Sequence, residues 1–170
     1  MTPRHVLMLA TSALLLLTNW CGATNMDANE KWSWSENAGW INWSAAHTGV
    51  TVRAAGYLSG YAWSESIGWI KLGSGAGPYA NTTADNWGVN LAPDMRLSGF
   101  AWSENGGWIN FAPSHGTAAI DDATGRLSGF AWSEGIGWIN LQSPLAPENP
   151  QWYGVRTLAN LTPGTVLIVR

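Results

Sequence analysis

The chain has 170 residues, with 11 acidic and 8 basic side chains and a formal net charge of −3 at pH 7. That length fits one domain, or a few small repeats that share one core. No cluster of basic residues stands out, which argues against nucleic acid as a partner. The composition is unusual in its 13 tryptophans and 20 glycines. Glycine favours tight turns, and tryptophan brings a large apolar area to strands or to ligand platforms.

The start of the chain predicts a secretory signal peptide over 1–23. The basic residue Arg4 precedes an apolar run over 6–17, and a short polar stretch with small residues follows. This run is about a dozen residues long, whereas a membrane span needs about 20. Cleavage after Ala23 would leave a single domain over 24–170, secreted or periplasmic, with no membrane span.

The single cysteine, Cys21, falls within this leader. A bacterial lipoprotein would use such a cysteine as its lipid anchor, but small residues should then precede it. Asn19 and Trp20 stand there instead, which argues against lipid anchoring. We therefore expect Cys21 to leave with the signal peptide and the mature domain to contain no disulfide.

Four similar segments follow one another through most of the mature chain. In each copy two tryptophans stand six residues apart, and the third copy reads GFAWSENGGWIN. Aromatic and β-branched residues cluster between turn signals, with no sustained apolar period of 3.6. We predict an all-β fold of four tandem meander or hairpin repeats, each with about three short strands. The repeat hairpins lie near 31–43, 58–72, 97–111 and 127–141.

The third copy shows the predicted strands most clearly. Strand A lies near GVNLA, strand B is RLSGFAWS and strand C is GWINF. If 103–107 forms the loop, Trp102 lies opposite Trp108 and Phe100 lies opposite Asn110. One face then carries Phe100, Trp102 and Trp108, and the other carries Leu97, Gly99, Ala101, Ile109 and Phe111. Both faces are apolar, so either the hairpin is covered on both sides or an aromatic face is open to a ligand.

Each end of the chain carries part of a further unit. The first copy lacks a strand A and most of strand B, whereas 153–169 supplies a strand A and a last strand. Together they make roughly one unit, which either closes the repeats into a propeller-like ring or caps an open stack. Both arrangements stay open, and repeated strands in a sparsely charged chain can also self-associate through their edges.

One glycine and one glutamate are kept in every copy. The glycine precedes the second tryptophan and predicts a positive φ angle or a close backbone approach, a structural role. The glutamate has no partner acid, base or metal ligand at fixed spacing, so we predict no enzyme activity. We expect its carboxylate to accept hydrogen bonds from loop N–H groups or an indole N–H, with ligand contact as the alternative. A small hydrolase acting through these glutamates is a third hypothesis. The residues are Gly39, Gly68, Gly107 and Gly137, and Glu36, Glu65, Glu104 and Glu134.

The paired tryptophans support two interpretations. As core residues they would form a cross-strand aromatic pair in each unit, and we favour this because both positions repeat like the glycine beside them. As a binding surface they would offer flat platforms for sugar rings. The ligand-binding candidates are Trp63, Trp102, Trp132, Glu65, Glu104 and Glu134, and the other paired tryptophans, assigned to the framework, are Trp34, Trp40, Trp69, Trp108 and Trp138. Trp43, Trp87 and Trp152 lie outside the pairs and are freer to be exposed.

No catalytic, metal or cofactor site is predicted. Asp121 and Asp122 in DDATG favour a turn over a calcium site, because the alternating acidic spacing is missing. His47 and His115 occur singly, without companions at zinc-ligand spacing. No nucleophile–base–acid set appears either.

The four copies resemble a repeat of secreted and cell-surface bacterial proteins, written roughly G-[FY]-A-W-S-E-N-x-G-W-I-x-[FL]. The match covers Trp32 to Leu141, and the first copy departs from it with Lys31-Trp32-Ser33. The resemblance implies export and a β-rich repeat, without an assigned activity. We predict a non-enzymatic exported protein that acts as a structural or interaction module, with a protein or polysaccharide partner at the cell surface or in the periplasm. The alternative is a carbohydrate-binding module that uses exposed tryptophans.

Overall fold

The computed structural model describes residues 24–46 and 48–161, which form strands and turns. Within these residues, no helix is long and apolar enough to cross a membrane. The predicted signal peptide with Cys21, the isolated His47 and the predicted last strand over 165–169 lie outside the described residues.

The described residues form fourteen strands, and the all-β prediction is confirmed. They are β1 Met26–Ser35, β2 Gly39–Asn42, β3 Thr51–Arg53, β4 Tyr57–Ser59, β5 Tyr61–Ser64, β6 Gly68–Lys71, β7 Val89–Leu91, β8 Leu97–Ser103, β9 Gly107–Asn110, β10 Ala119–Ile120, β11 Leu127–Ser128, β12 Phe130–Ser133, β13 Gly137–Asn140 and β14 Val155–Thr157.

Eight of these strands form a closed antiparallel ring made from the four repeat hairpins. The hairpins are β1–β2, β5–β6, β8–β9 and β12–β13, and we number them one to four in chain order. Each hairpin pairs with the next through β2–β5, β6–β8 and β9–β12, and β13 returns to β1. The repeats therefore close on themselves and do not form an open stack. Every strand of the ring has a partner on both sides, so these eight leave no free edge.

The short strands extend the ring at the end opposite the hairpin loops. There β14 pairs with the first part of β1, with Met26 opposite Thr157 and Lys31 opposite Val155. β14 thus completes the unit whose other two strands begin the described residues. The expectation that the first copy lacks most of strand B is wrong, because β1 has ten residues. The sequence does not indicate this strand, because its register shifts between Met26 and Lys31. At this irregularity the Asp27 carboxylate accepts the N–H groups of Asn29 and Glu30 at 2.7 and 3.1 Å.

The predicted hairpin register is confirmed. Trp102 lies opposite Trp108, and Phe100 lies opposite Asn110. Gly107 closes the loop with a φ of +69°, and no atom lies within 4 Å of the place where a Cβ would stand. The backbone conformation, and not crowding, is therefore what requires glycine at this point.

The inside of the ring is filled by small and branched side chains. In the third hairpin Ala101 and Ile109 are 0% and 1% exposed, and their equivalents in the other hairpins also point inward. Trp43 joins this core, packs edge-on against Phe111 with ring centroids 6.2 Å apart, and is 3% exposed. Our expectation that Trp43 is free to be exposed is therefore wrong. The core void bounded by these isoleucines and aromatics measures only about 10 Å³.

The interpretation of the paired tryptophans as core is also wrong. The second tryptophan of each hairpin is 42–47% exposed, and the first is half-buried. The reason is geometric, because an eight-stranded ring leaves an interior just wide enough for modest side chains. Two indoles from each of four hairpins do not fit there, so they take the outer face of the same strands.

Candidate functional site

The outer face of the ring carries a belt of aromatic side chains. Within each hairpin the two indoles meet edge to face, with centroids 4.7–4.8 Å apart. This arrangement is the favoured one for aromatic pairs. It holds the rings in place and still leaves a large part of each second tryptophan open to solvent.

The pairing between hairpins places an asparagine beside a tryptophan on this outer face. Asn42 of the first hairpin lies opposite Trp63 of the second. The same pairing recurs at two more junctions, where Asn110 meets Trp132 and Asn140 meets Trp34. At the junction of hairpins two and three the pattern changes, since Lys71 stands opposite Trp102.

Three open grooves follow from this arrangement, with volumes of about 750, 500 and 430 Å³. Each contains the second tryptophan and the asparagine of one hairpin with the first tryptophan and the glutamate of the next. Groove 1 holds Trp40, Asn42, Trp63 and Glu65; groove 2 holds Trp108, Asn110, Trp132 and Glu134; groove 3 holds Trp138, Asn140, Trp34 and Glu36.

Groove 1 has an additional wall from the segment before β14. Trp152 and Tyr153 line it together with Gln151. The ring of Tyr153 meets Trp40 edge-on at 5.0 Å. Burial raises the pKa of the Tyr153 hydroxyl, although its hydrogen bond with Asn140 works in the opposite direction. The hydroxyl therefore stays protonated at neutral pH and links groove 1 to the asparagine of groove 3.

The junction of hairpins two and three, which we call the lysine junction, contains Trp69, Lys71, Trp102 and Glu104. The long loop after β6 ends here with Trp87, whose ring meets Trp108 at 5.0 Å. The Lys71 Nζ lies 5.7 Å from the centroid of the Trp87 ring, within range of a cation–π interaction. Lys71, whose ammonium group lies over the Trp87 ring, thus takes the position that an asparagine takes in each of the three grooves.

The four glutamates are exposed at the rims of these grooves and the lysine junction. The expectation that they accept the loop N–H groups is wrong, because the buried serine before each glutamate does so. Ser103 Oγ accepts the N–H of Gly106 at 3.1 Å and donates to the carbonyl of Ile67 in the previous hairpin at 3.0 Å. Equivalent bonds run around the ring from Ser35 to Ile136, Ser64 to Ala38 and Ser133 to Gly106.

Sequence reasoning missed these serines and did not assign the groove asparagines by position, although the sugar-binding interpretation expects asparagine beside the tryptophans. The serine precedes the glutamate in all four copies, and the asparagine follows Trp-Ile in three of them. That repetition was the available signal. Each groove asparagine also accepts the backbone N–H two residues further on, as Asn110 Oδ1 does from Ala112 at 2.8 Å. This bond fixes the orientation of the amide and leaves its NH₂ group as a donor. In Asn140 one of these two N–H groups already donates to the Tyr153 hydroxyl.

The ligand-binding candidates divide between two environments. Trp63 and Glu65 meet in groove 1, and Trp132 and Glu134 meet in groove 2. Trp132 also lines the adjacent groove 3. Trp102 and Glu104 belong instead to the lysine junction, although Trp102 also borders groove 2. The framework tryptophans form the opposite walls of all three grooves.

The acidic DDATG stretch forms a turn, as predicted. Asp121 Oδ1 accepts both the N–H and the hydroxyl of Thr124 at 2.8 and 2.7 Å. Across 24–46 and 48–161, no three His, Cys, Asp or Glu side chains gather in a way that could hold a metal ion.

No protein-family model, curated protein or solved structure matches the chain. The resemblance to the repeat of exported bacterial proteins therefore stays a prediction.

Proposed function

We propose that the protein is a non-enzymatic, exported binding module that takes neutral carbohydrate chains in grooves 1, 2 and 3. One observation carries the proposal: a Trp–Asn–Trp–Glu set recurs in three open grooves outside a core that is filled without it. Exposed aromatic surface of this extent has no role in closing the ring, and contiguous exposed apolar surface marks a binding site.

The chemistry of each groove matches the two sides of a sugar ring. A pyranose presents a flat face of C–H bonds and an edge of hydroxyl groups. The indole faces offer apolar area for the former. For the hydroxyls, the asparagine NH₂ is a donor and the glutamate carboxylate is an acceptor with several lone-pair sites.

The carboxylates in the groove linings favour a neutral ligand over an anionic one. In groove 1, Lys31 and Arg126 lie outside this lining, over the rings of Trp32 and Trp152 at 5.7 and 5.3 Å. Glu65 is the charged side chain among the described lining of groove 1, and Glu134 and Glu36 play this part in grooves 2 and 3. A carboxylate at the rim repels uronate, phosphate or sulfate groups and accepts hydrogen bonds from hydroxyls. The grooves are also open, so a glycan chain can enter and leave each of them along the surface.

The test is binding of cellohexaose, chitohexaose and maltohexaose to the purified protein by calorimetry and by tryptophan fluorescence. We expect saturable binding of at least one hexaose, lost in the triple variant Trp34→Ala/Trp63→Ala/Trp132→Ala. Glu104→Gln changes the exposed carboxylate of the lysine junction, which lines none of the three grooves, and should bind as the unmodified protein does. Absence of binding to all three hexaoses would overturn the proposal.

A second triple variant guards against a folding defect. Asn42→Asp, Asn110→Asp and Asn140→Asp keep the oxygen that accepts the turn N–H but remove the NH₂ donor. The fold should be retained, as judged by the circular dichroism spectrum, while affinity falls. Unchanged affinity in this variant would contradict the role assigned to the asparagines.

A further inference from the structure

The closed ring places its grooves on different sides of one small domain. Grooves 1 and 2 lie at the junctions of hairpins one with two and three with four. In a ring of four hairpins these junctions are opposite each other. Groove 3, at the junction of hairpins four and one, lies between them and faces a third direction.

We infer that one protein molecule holds separate carbohydrate chains in the opposite grooves 1 and 2 at once and so crosslinks them; this inference rests on the proposed function. A glycan chain seated in groove 1 leaves along the outer face of the ring and does not reach groove 2 on the other side of the filled core. Two occupied grooves therefore hold two separate chains, or two distant parts of one flexible chain.

The lysine junction is not one of the proposed binding sites, for two reasons visible in its contacts. Lys71 replaces the asparagine that supplies the neutral donor elsewhere. Its ammonium group lies over the ring of Trp87, and Trp87 in turn packs against Trp108. The loop that ends at Trp87 therefore occupies, with the protein's own side chains, the place where a ligand would meet an amide.

The three grooves share the Trp–Asn–Trp–Glu set but differ in size and in their further lining. Groove 1, with the wall formed by Trp152 and Tyr153, is the largest. We expect it to bind a hexaose most tightly, with grooves 2 and 3 filling at higher concentration. When one groove has bound a polymer, further sugar units are present at high effective concentration near the other grooves. The apparent affinity for the polymer should therefore be far above that for a hexaose.

The first measurement is stoichiometry. Calorimetry with the hexaose that binds should give three molecules per chain for the unmodified protein and for Glu104→Gln. Each of Trp63→Ala, Trp108→Ala and Trp34→Ala changes the lining of one groove only and should reduce the value to two. A value of one for the unmodified protein overturns the crosslinking inference and leaves the proposed function standing, whereas no hexaose binding overturns the proposed function itself.

The second measurement is crosslinking of a soluble polymer of the same sugar, which is detected as turbidity. The polymer is hydroxyethyl cellulose, glycol chitin or soluble starch. The unmodified protein should form a network at intermediate ratios and release it when hexaose is added in excess. Trp63→Ala/Trp108→Ala, which leaves the lining of groove 3 unchanged, should bind the polymer without turbidity. Turbidity that persists in this double variant, with the protein monomeric by light scattering, would also overturn the inference.

Discussion

The inner and outer faces of the ring are formed by the same hairpins, yet the inner face packs the core and the outer face forms grooves. Along β8, Ala101 and Ser103 point inward and are fully buried, whereas Phe100 and Trp102 point outward. The inner face holds small and branched side chains packed around a void of about 10 Å³. The outer face holds large aromatic side chains around grooves of several hundred Å³.

This difference separates the residues that hold the fold from those available for binding. Because side chains alternate along a strand, every outer tryptophan has an inner neighbour one residue away. Adjacent residues therefore form matched pairs for mutation, in which one change should affect unfolding and the other should affect binding. The protein can vary the chemistry of its grooves without disturbing the core.

The largest expected effect compares Ile70 with Trp69. Ile70→Ala should lower the free energy of unfolding by about 2–5 kcal/mol, because it empties a filled core at a side chain only 4% exposed. Trp69→Ala should cost about 1–2 kcal/mol, from its edge contacts with Tyr61 and Trp63. Urea unfolding followed by circular dichroism measures both, without relying on the tryptophan signal that one variant changes. A larger loss for Trp69→Ala would mean that the outer face holds the ring together.

An intermediate effect compares Ser103 with Glu104 in one hairpin loop. Ser103→Ala removes the hydroxyl that joins the Gly106 N–H to the Ile67 carbonyl of the previous hairpin, at a cost of about 1–3 kcal/mol. Glu104→Gln changes an exposed side chain and should stay within about 0.5 kcal/mol of the unmodified protein. The same urea titrations decide the matter. An equal loss of unfolding free energy in the two variants would show that Glu104 has the structural role that the sequence predicts.

The parts of the fold that could be predicted from the sequence depend on local geometry. The six-residue tryptophan spacing predicts the hairpin register, and the glycine before each second tryptophan predicts the positive φ. Which face lies inside could not be predicted, because both faces are apolar and the choice depends on the width of the closed ring. That width follows from the β13–β1 pairing, a contact between distant parts of the chain. The grooves escaped prediction for the same reason, since Asn42 meets Trp63 only through the pairing of two hairpins.

At the seam where β14 joins β1, charged side chains outside the core support the fold. The division between inner residues that hold the fold and outer residues that bind therefore does not apply at this seam. Arg126 and Glu30 form a two-bonded pair there, at 2.8 and 2.9 Å. Beside them the Asp27 carboxylate accepts two backbone N–H groups and lies 3.7 Å from Arg156.

The smallest expected effect is the pH dependence of this seam. The hydrogen bonds from the N–H groups of Asn29 and Glu30, with the charge of Arg156 adding to them, hold the pKa of Asp27 below its ordinary value of 3.8. The ionised carboxylate therefore contributes stability that is fully present above the unfolded-state pKa and is lost as the pH falls through the lowered one. The free-energy difference between the unmodified protein and Asp27→Asn should be under about 1 kcal/mol. It should stay constant down to about pH 5 and shrink towards about pH 2 in urea titrations. A difference that does not change over this range would show that the outward-facing charge of Asp27 adds nothing to the seam.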